Sequence, residues 1–435
     1  MEADSGIFEY TYDPVGRLTS AVRGEQVKRY RYDELGNRVR EWGGHKYDTA
    51  DWTQHTFNAR NQLVKTQEGE AVKEYRYDGR GNLTNISENG HVKSRFEFDA
   101  TNMMVGAFTV GKGRAEYTYN GFRNRVGKLE DLSELGKVPD PVTGIIPDPV
   151  SEVRYTLDMT LPYDNLLVTK GGPGTTDQSF VWGNSLISAS GDDSFFYLQD
   201  HLGSPIRLMG EGEADTPLAY DEFGVPVVQA GQSDHKSSNP FGFTGYMRDS
   251  VSGIYFAQAR YYLPQAGRFN AQDAHWNSEN MISGDEPFVF ANLALLPHNH
   301  SIIQSANLYN YCGSNPLSFI DLTGQVFKAA IAGVGAVVGG VAGATRGVVR
   351  GIAAGESIGT VVARGAVGAV SGAAGGAVAG VVLGSTGSIA LASAAGGATY
   401  GGLYGAGNAI VDGVISGQSA KEIALSAVRV LSDTL

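Results

Sequence analysis

Along the first 126 residues, apolar and polar positions alternate in short runs that break and restart at a near-constant interval. Residues two apart on an extended chain point to the same face, so Tyr10 with Tyr12, or Tyr75 with Tyr77, predict strands with one aromatic side. Each pair is followed by Asp or Asn, then by a Gly or Asn turn, then by an aliphatic residue. Six instances begin Tyr10-Thr11-Tyr12-Asp13, Tyr30-Arg31-Tyr32-Asp33, His55-Thr56-Phe57-Asn58, Tyr75-Arg76-Tyr77-Asp78, Phe96-Glu97-Phe98-Asp99 and Tyr117-Thr118-Tyr119-Asn120. Their second aromatics lie 20, 25, 20, 21 and 21 residues apart. In Asp13-Pro14-Val15-Gly16 the Asp can bond backbone two residues on, and the Gly can take positive φ. Asn37 and Asn82, after Gly36 and Gly81, are read as meeting the same need. Leu18, Val39, Leu63, Leu83 and Val126 are expected to resume the apolar side of the next strand. Each unit is thus a β-hairpin too small to be stable alone, and its repetition predicts a stacked architecture.

This phrase resembles the YD repeat of the Rhs family, which includes bacterial Rhs toxins, wall-associated proteins, the C component of Tc toxins and animal teneurins. Asn58 and Asn120 stand where Asp is usual, and Asn102 where Gly is usual. The resemblance implies a mainly β fold, with hairpins in a spiralling, shell-like sheet that encloses the C-terminal part of the same polypeptide. Family shells use many more repeats, and an open sheet edge exposes unpaired backbone. The expected partner is therefore a missing N-terminal Rhs shell or a partner shell subunit, the chain being read as the C-terminal piece of a larger protein.

Bulk properties narrow the partners. Net charge is −12; the residues after Gln325 contribute six basic and four acidic side chains, a net of +2, which leaves −14 for the rest. That argues against a nucleic-acid-binding shell. The single cysteine, Cys312, excludes an internal disulfide and a cysteine-rich metal site. The start, Met1-Glu2-Ala3-Asp4, is acidic and does not read as a signal peptide. Export, to the cell surface or beyond, is expected to run through a longer precursor or a dedicated machine.

Residues 127–175 break the rhythm, and Lys137-Val138-Pro139-Asp140-Pro141 with Ile146-Pro147-Asp148-Pro149 read as an exposed, stiffened loop. Strand-like runs return at Arg154-Tyr155-Thr156-Leu157 and Phe180-Val181-Trp182, with turns at Gly183-Asn184 and Asp192-Asp193. From Phe195 onward come Asp200-His201-Leu202-Gly203-Ser204, Tyr220-Asp221-Glu222-Phe223-Gly224, Gly253-Ile254-Tyr255-Phe256, Ala259-Arg260-Tyr261-Tyr262, Gly267-Arg268-Phe269, Asn307-Leu308-Tyr309-Asn310-Tyr311 and Asp321-Leu322-Thr323-Gly324-Gln325. In this order they resemble the Rhs-associated core. His201 is read as a structural hydrogen-bonding residue, and His298 with His300 as a solvent-facing pair beside Pro297. Neither is read as a metal site, and no cofactor is expected.

Two aspartates are candidates for chemistry, Asp249 in Tyr246-Met247-Arg248-Asp249 and Asp273 in Phe269-Asn270-Ala271-Gln272-Asp273. Two carboxylates held close share a proton, so one can activate water while the other protonates the leaving amine. The sequence does not give their distance. By resemblance, Rhs cores and Tc-toxin C components cut themselves just after a D-P-x-G-L motif with aspartates at these positions. Carried over, Arg248, Asp249 and Asp273 are catalytic, Asp321 and Gly324 belong to the cleavage motif, and Gln325–Val326 is the scissile bond. Leu322 stands where the motif has Pro and Gln325 where it has Leu, so cleavage and its loss both stay open. The alternative is that both aspartates cap turns.

After Gln325 the composition changes. Glycines recur every fourth residue at 335, 339, 343, 347, 351, 355 and 359, and again at 368, 372, 376, 380 and 384. On a helix this spacing makes a groove of close backbone approach, a glycine zipper. Gly365 to Val411 carries no charge, while Arg346 and Arg350 interrupt the first glycine series. A membrane-inserting translocation region and a soluble bundle within the shell both fit. Ser419 to Leu431 reads as an amphipathic helix, with Ile423, Ala424, Ala427, Val428 and Leu431 on one face. The tail carries no nuclease, protease or nucleotide-binding motif.

The predicted organisation is therefore YD hairpins over 1–130, an irregular connecting β segment over 131–194, an Rhs-associated core over 195–325, an α-helical Gly/Ala-rich glycine zipper over 326–418, and a terminal helix over 419–435. The leading function is the C-terminal delivery portion of an Rhs polymorphic toxin, with a C-terminal toxin and its immunity protein as further partners. The alternatives are a non-enzymatic secreted or surface protein binding glycans or cells, and a tail that itself permeabilises a target membrane.

Overall fold

The computed structural model describes residues 8–45, 52–133, 150–160, 163–172, 177–183, 185–191, 193–210, 216–227, 239–284, 288–290, 294–296, 299–329 and 408. Nineteen strands from Phe8–Tyr12 to Thr216–Pro217 form one sheet, each strand antiparallel to the next. The strands Val150–Asp158, Asn165–Gly171 and Gln178–Trp182 continue it without a change of pairing. The predicted loop over 137–149 lies outside the described residues.

One turn design recurs throughout. The Oδ1 of Asp33 accepts the backbone N–H of Leu35 at 3.0 Å and of Asn37 at 2.9 Å. The same two-and-four-residue pattern holds at Asp13, Asn58, Asp78, Asp99, Asn120, Asp200 and Asp221. Asn accepts through its amide oxygen as Asp does, so Asn58 and Asn120 keep the turn. The third residue after the Asp or Asn takes positive φ: Gly81 at 88°, Asn102 at 65° and Arg123 at 70°.

Asn37 and Asn82 do something other than expected. The positive φ falls on Gly36 and Gly81 instead. The amide of Asn82 bonds Asp78 Oδ2 at 2.9 Å and reaches Asn102 Oδ1 of the next turn at 3.0 Å, as Asn37 reaches Asn61 at 2.9 Å. These links join successive repeats, which explains why a period near twenty is kept.

The inward position is the fifth after the Asp or Asn, counted from the turn. Leu18, Leu63, Leu83 and Met104 fill it and are buried. Val39 and Val126, expected there, are only half-buried; Arg38 and Arg125 occupy the position instead. Backbone geometry sets the face and the side chain must adapt. Arg125 does so by lying 4.0 Å from the Phe256 ring centroid and donating to Tyr261 Oη at 3.1 Å, a cation–π arrangement that compensates lost hydration.

The buried face packs on residues 239–328. Leu83, Phe96, Met104, Ala115 and Tyr117 meet Val251, Ile254, Tyr261 and Leu263; Phe180, Leu186 and Tyr197 meet Phe241. Contacts to this block come from well-separated strands of the sheet, with Leu317 packed against Leu18 and Tyr30 in addition. Within the block, Met247–Arg248, Tyr255–Ala257, Arg260–Leu263 and Arg268–Phe269 form a four-stranded antiparallel sheet, with a helix further along the chain over Asn299–Ala306. Tyr255, Tyr262, Tyr309 and Tyr311 are fully buried there.

The chain divides into two compact units, Met1–Lys328 and Ala329–Leu435. In the second, beyond Ala329 itself, only Asn408 is described, so the glycine zipper and the terminal helix lie outside the described residues.

Candidate active site

Arg260 organises the candidate site. Its strand, Arg260–Leu263, is buried at every position, which holds the guanidinium in the interior over the Phe269 ring at 3.6 Å. Nη1 donates to the Leu308 carbonyl at 2.9 Å, and Nε donates to the Gly324 carbonyl. Nη2 lies 2.9 Å from Asp273 Oδ2 and 3.5 Å from Asp321 Oδ2. One cation thus faces two carboxylates, both almost wholly buried.

Burial disfavours ionisation, and one guanidinium cannot satisfy two carboxylates. Burial pushes the Asp321 carboxyl up to about 6, with Asp273 adding to the rise and Arg260 opposing it. Asp273 is also raised by burial, against the pull of Arg260 and the N–H of His275. Burial thus favours the protonated form of each carboxyl, and Arg260 the ionised form.

The predicted cleavage segment runs through the same place. Asp321 Oδ1 accepts the N–H of Gln325 at 3.0 Å, closing a turn over Leu322, Thr323 and Gly324. Gly324 takes φ of 69°, and a Cβ there would collide with the Ala257 carbonyl oxygen. The Thr323 carbonyl accepts Ala259 N–H at 3.0 Å, and Tyr246 Oη donates to the Asp321 carbonyl. The turn is therefore held without the Pro that Leu322 replaces. On the helix Asn299–Ala306, Gln304 donates from Nε2 to Asp273 Oδ2 at 3.2 Å and also to the carbonyl of Gln325.

Of the residues expected at the site, Asp273, Asp321, Gly324 and Gln325 come together, with Val326 next along the chain. Asp249 makes its contacts elsewhere: Oδ1 accepts Ser252 N–H at 2.7 Å and Ser252 Oγ–H at 2.6 Å, capping the turn to Gly253. Lys128 and the Ser252 bonds hold its carboxyl below the usual range despite burial. Arg248 acts on Tyr220 and Tyr255. Arg260 and Gln304 were missed; Arg260 lay within a quoted motif, but nothing in the sequence marked its charge as the site's. His201 donates from Nε2 to the Leu317 carbonyl at 2.9 Å, a structural contact. His300 is in a helix, not a solvent-facing loop pair, and packs 4.8 Å from the Phe319 ring and 5.2 Å from Phe327; His298 lies outside the described residues.

Residues 1–134 match the family model described as Teneurin YD-shell. The toxin protein Tse5 of Pseudomonas aeruginosa is 33% identical over 99 residues, 22% of this chain and 7% of that protein. The tRNA nuclease WapA of Bacillus subtilis is 24% identical over 132 residues, 29% of this chain and 6% of that protein. The chain therefore spans less than a tenth of either relative. Among solved structures, a TcdB2-TccC3-Cdc42 complex aligns over 74% of this chain and 18% of that one, with a TM-score of 0.37 and 15% identity. The repeated Asp turns and the match over residues 1–134 together make this part of the chain similar to the Rhs/YD-repeat family.

Proposed function

We propose that this chain is the shell-and-core portion of an Rhs-type toxin and that it cuts itself between Gln325 and Val326 to free the glycine-rich segment from the core. The observation that carries the reading is the position of the Gln325 carbonyl, bonded to Gln304, which in turn bonds Asp273, while Asp321 accepts the Gln325 N–H. In the proposed step, an ionised Asp273 takes a proton from a water molecule as its oxygen adds to the Gln325 carbonyl carbon. Asp321, the carboxyl that keeps its proton to about pH 6, gives it to the Val326 nitrogen as the C–N bond breaks. The products are a Gln325 carboxylate and a Val326 amine. Arg260 opposes two protons on the pair, while burial and the mutual repulsion of the carboxylates oppose two negative charges.

The partners fit the same reading: a further YD shell, a C-terminal toxin with its immunity protein, and a target membrane for the glycine-rich segment. Delivery outside the producing cell fits it too. These rest on the sequence resemblance and the relatives, not on the site.

Intact mass of the purified full chain tests the cleavage, beside Asp273→Asn, Asp321→Asn and Asp249→Asn. A wild-type break at Gln325–Val326, lost in the first two variants, supports the reading. An uncut wild-type chain overturns it. Loss in Asp249→Asn with a native fold would return Asp249 to the catalytic set.

A further inference from the structure

We infer that Gln304 is a further catalytic residue of this cleavage, the group that holds the scissile carbonyl and stabilises the negative charge developing on its oxygen. The inference rests on the self-cleavage reading and deepens it. A primary carboxamide nitrogen carries two hydrogens. At Gln304 both are used, one on Asp273 Oδ2 at 3.2 Å and one on the Gln325 carbonyl oxygen. Both neighbours are acceptors, so the amide can face them only through its nitrogen. Asp273 therefore aligns the donor, and the donor marks the carbonyl under attack.

The surroundings favour this role. Gln304 is buried at 4% exposure, on a helix anchored beside the site rather than on a free loop. When water adds to the carbonyl carbon, the C=O electron pair moves onto oxygen. A preset donor in a water-poor site stabilises that charge without reorganising. The charge returns as the C–N bond breaks and the proton passes to the Val326 nitrogen. Asp273, Asp321 and Arg260 face the amide region directly, and His275 acts on it through Asp273. None of these is a neutral donor to the carbonyl. Gln304 supplies what the two carboxylates cannot.

The test tracks cleavage of the full chain during cell-free synthesis, by intact mass over time, for wild type, Gln304→Leu and Gln304→Glu. Leu keeps the volume and removes the donor; cleavage is expected to slow by about 10²–10³-fold with an unchanged melting profile. Glu has no proton to donate when ionised but regains one as pH falls. Its rate relative to wild type is expected to be low at pH 8 and to recover towards pH 5, which a merely structural role would not produce. Wild-type speed in Gln304→Leu, or a pH-independent deficit in Gln304→Glu, overturns the inference and leaves the cleavage reading standing. If Gln304→Leu does not fold, the pH profile of Gln304→Glu decides. An uncut wild type removes both.

Discussion

Asp273 and Asp321, 48 positions apart in sequence, place their Oδ2 atoms 2.9 and 3.5 Å from the same Arg260 nitrogen. The pair has one positive charge between two carboxylates, and its chemistry and its pH behaviour both stem from that imbalance.

The first consequence concerns acid stability. The folded Asp321 carboxyl lies near 6, above its ordinary 3.8. The folded state therefore binds this proton more tightly than the unfolded state. Its contribution to stability is complete below about pH 3.8 and is lost as pH rises through about 6. Asp321→Asn, neutral throughout and still able to accept the Gln325 N–H, is expected to match wild type at pH 4. At pH 8 it is expected to be more stable by on the order of 2 kcal/mol. Thermal melts at the two pH values check this; a larger advantage at pH 4 would reverse the sign.

Removing the cation has the opposite profile. Arg260→Met leaves two buried carboxylates without a counter-charge and is expected to cost about 3–5 kcal/mol at pH 7. The loss shrinks at pH 4, where protonation neutralises the pair. Urea unfolding at both pH values measures it, and equal losses would show that packing over Phe269, not charge, was removed.

Gly324 is fixed twice, by φ of 69° and by the Ala257 carbonyl where a Cβ would stand. Gly324→Ala is expected to cost at least about 1–3 kcal/mol and to displace the Gln325 carbonyl from Gln304. A drop in melting temperature with loss of the cut at Gln325–Val326 is the expected result; a fully stable, cleaving variant would contradict it.

The repeat turns offer a cleaner contrast. Asp78→Ala removes the acceptor of Arg80 N–H at 2.9 Å and Asn82 N–H at 2.8 Å and is expected to cost about 1–2 kcal/mol. Asp78→Asn keeps that acceptor, as Asn58 and Asn120 do at their own turns, but loses the Oδ2 acceptor of the Asn82 amide, and is expected to cost about half as much. Equal losses would show that the Oδ2 contacts, not backbone capping, hold the turn. Thermal melts of the two variants beside wild type measure the difference.

Local chemistry was legible in the order of residues. Alternating aromatics, an Asp or Asn, and a residue able to take positive φ three positions on are short-range requirements. They announced hairpins, repeats and a mainly β fold; the Asp273 and Asp321 motifs came only with the family resemblance. Which side chain faces inward was less legible, because Arg38 and Arg125 hold positions that hydrophobicity assigned to Val39 and Val126. Their burial depends on aromatic rings brought from Phe223 and Phe256.

The site was decided by the tertiary structure alone. The family resemblance makes Asp249 catalytic and puts Asp321 in the cleavage motif, yet Asp249 bonds Ser252 within its own turn and its charge is answered by Lys128. Arg260, Asp273, Gln304, Asp321 and Gln325 come from a strand, a loop, a helix and a turn, and no local pattern encodes their meeting. The sequence by itself determined the repeat and the turns, because each is settled within a few residues of backbone. The sheet's packing on residues 239–328 determined which carboxylates share a cation, because charge coupling depends on distance in space and not on separation along the chain.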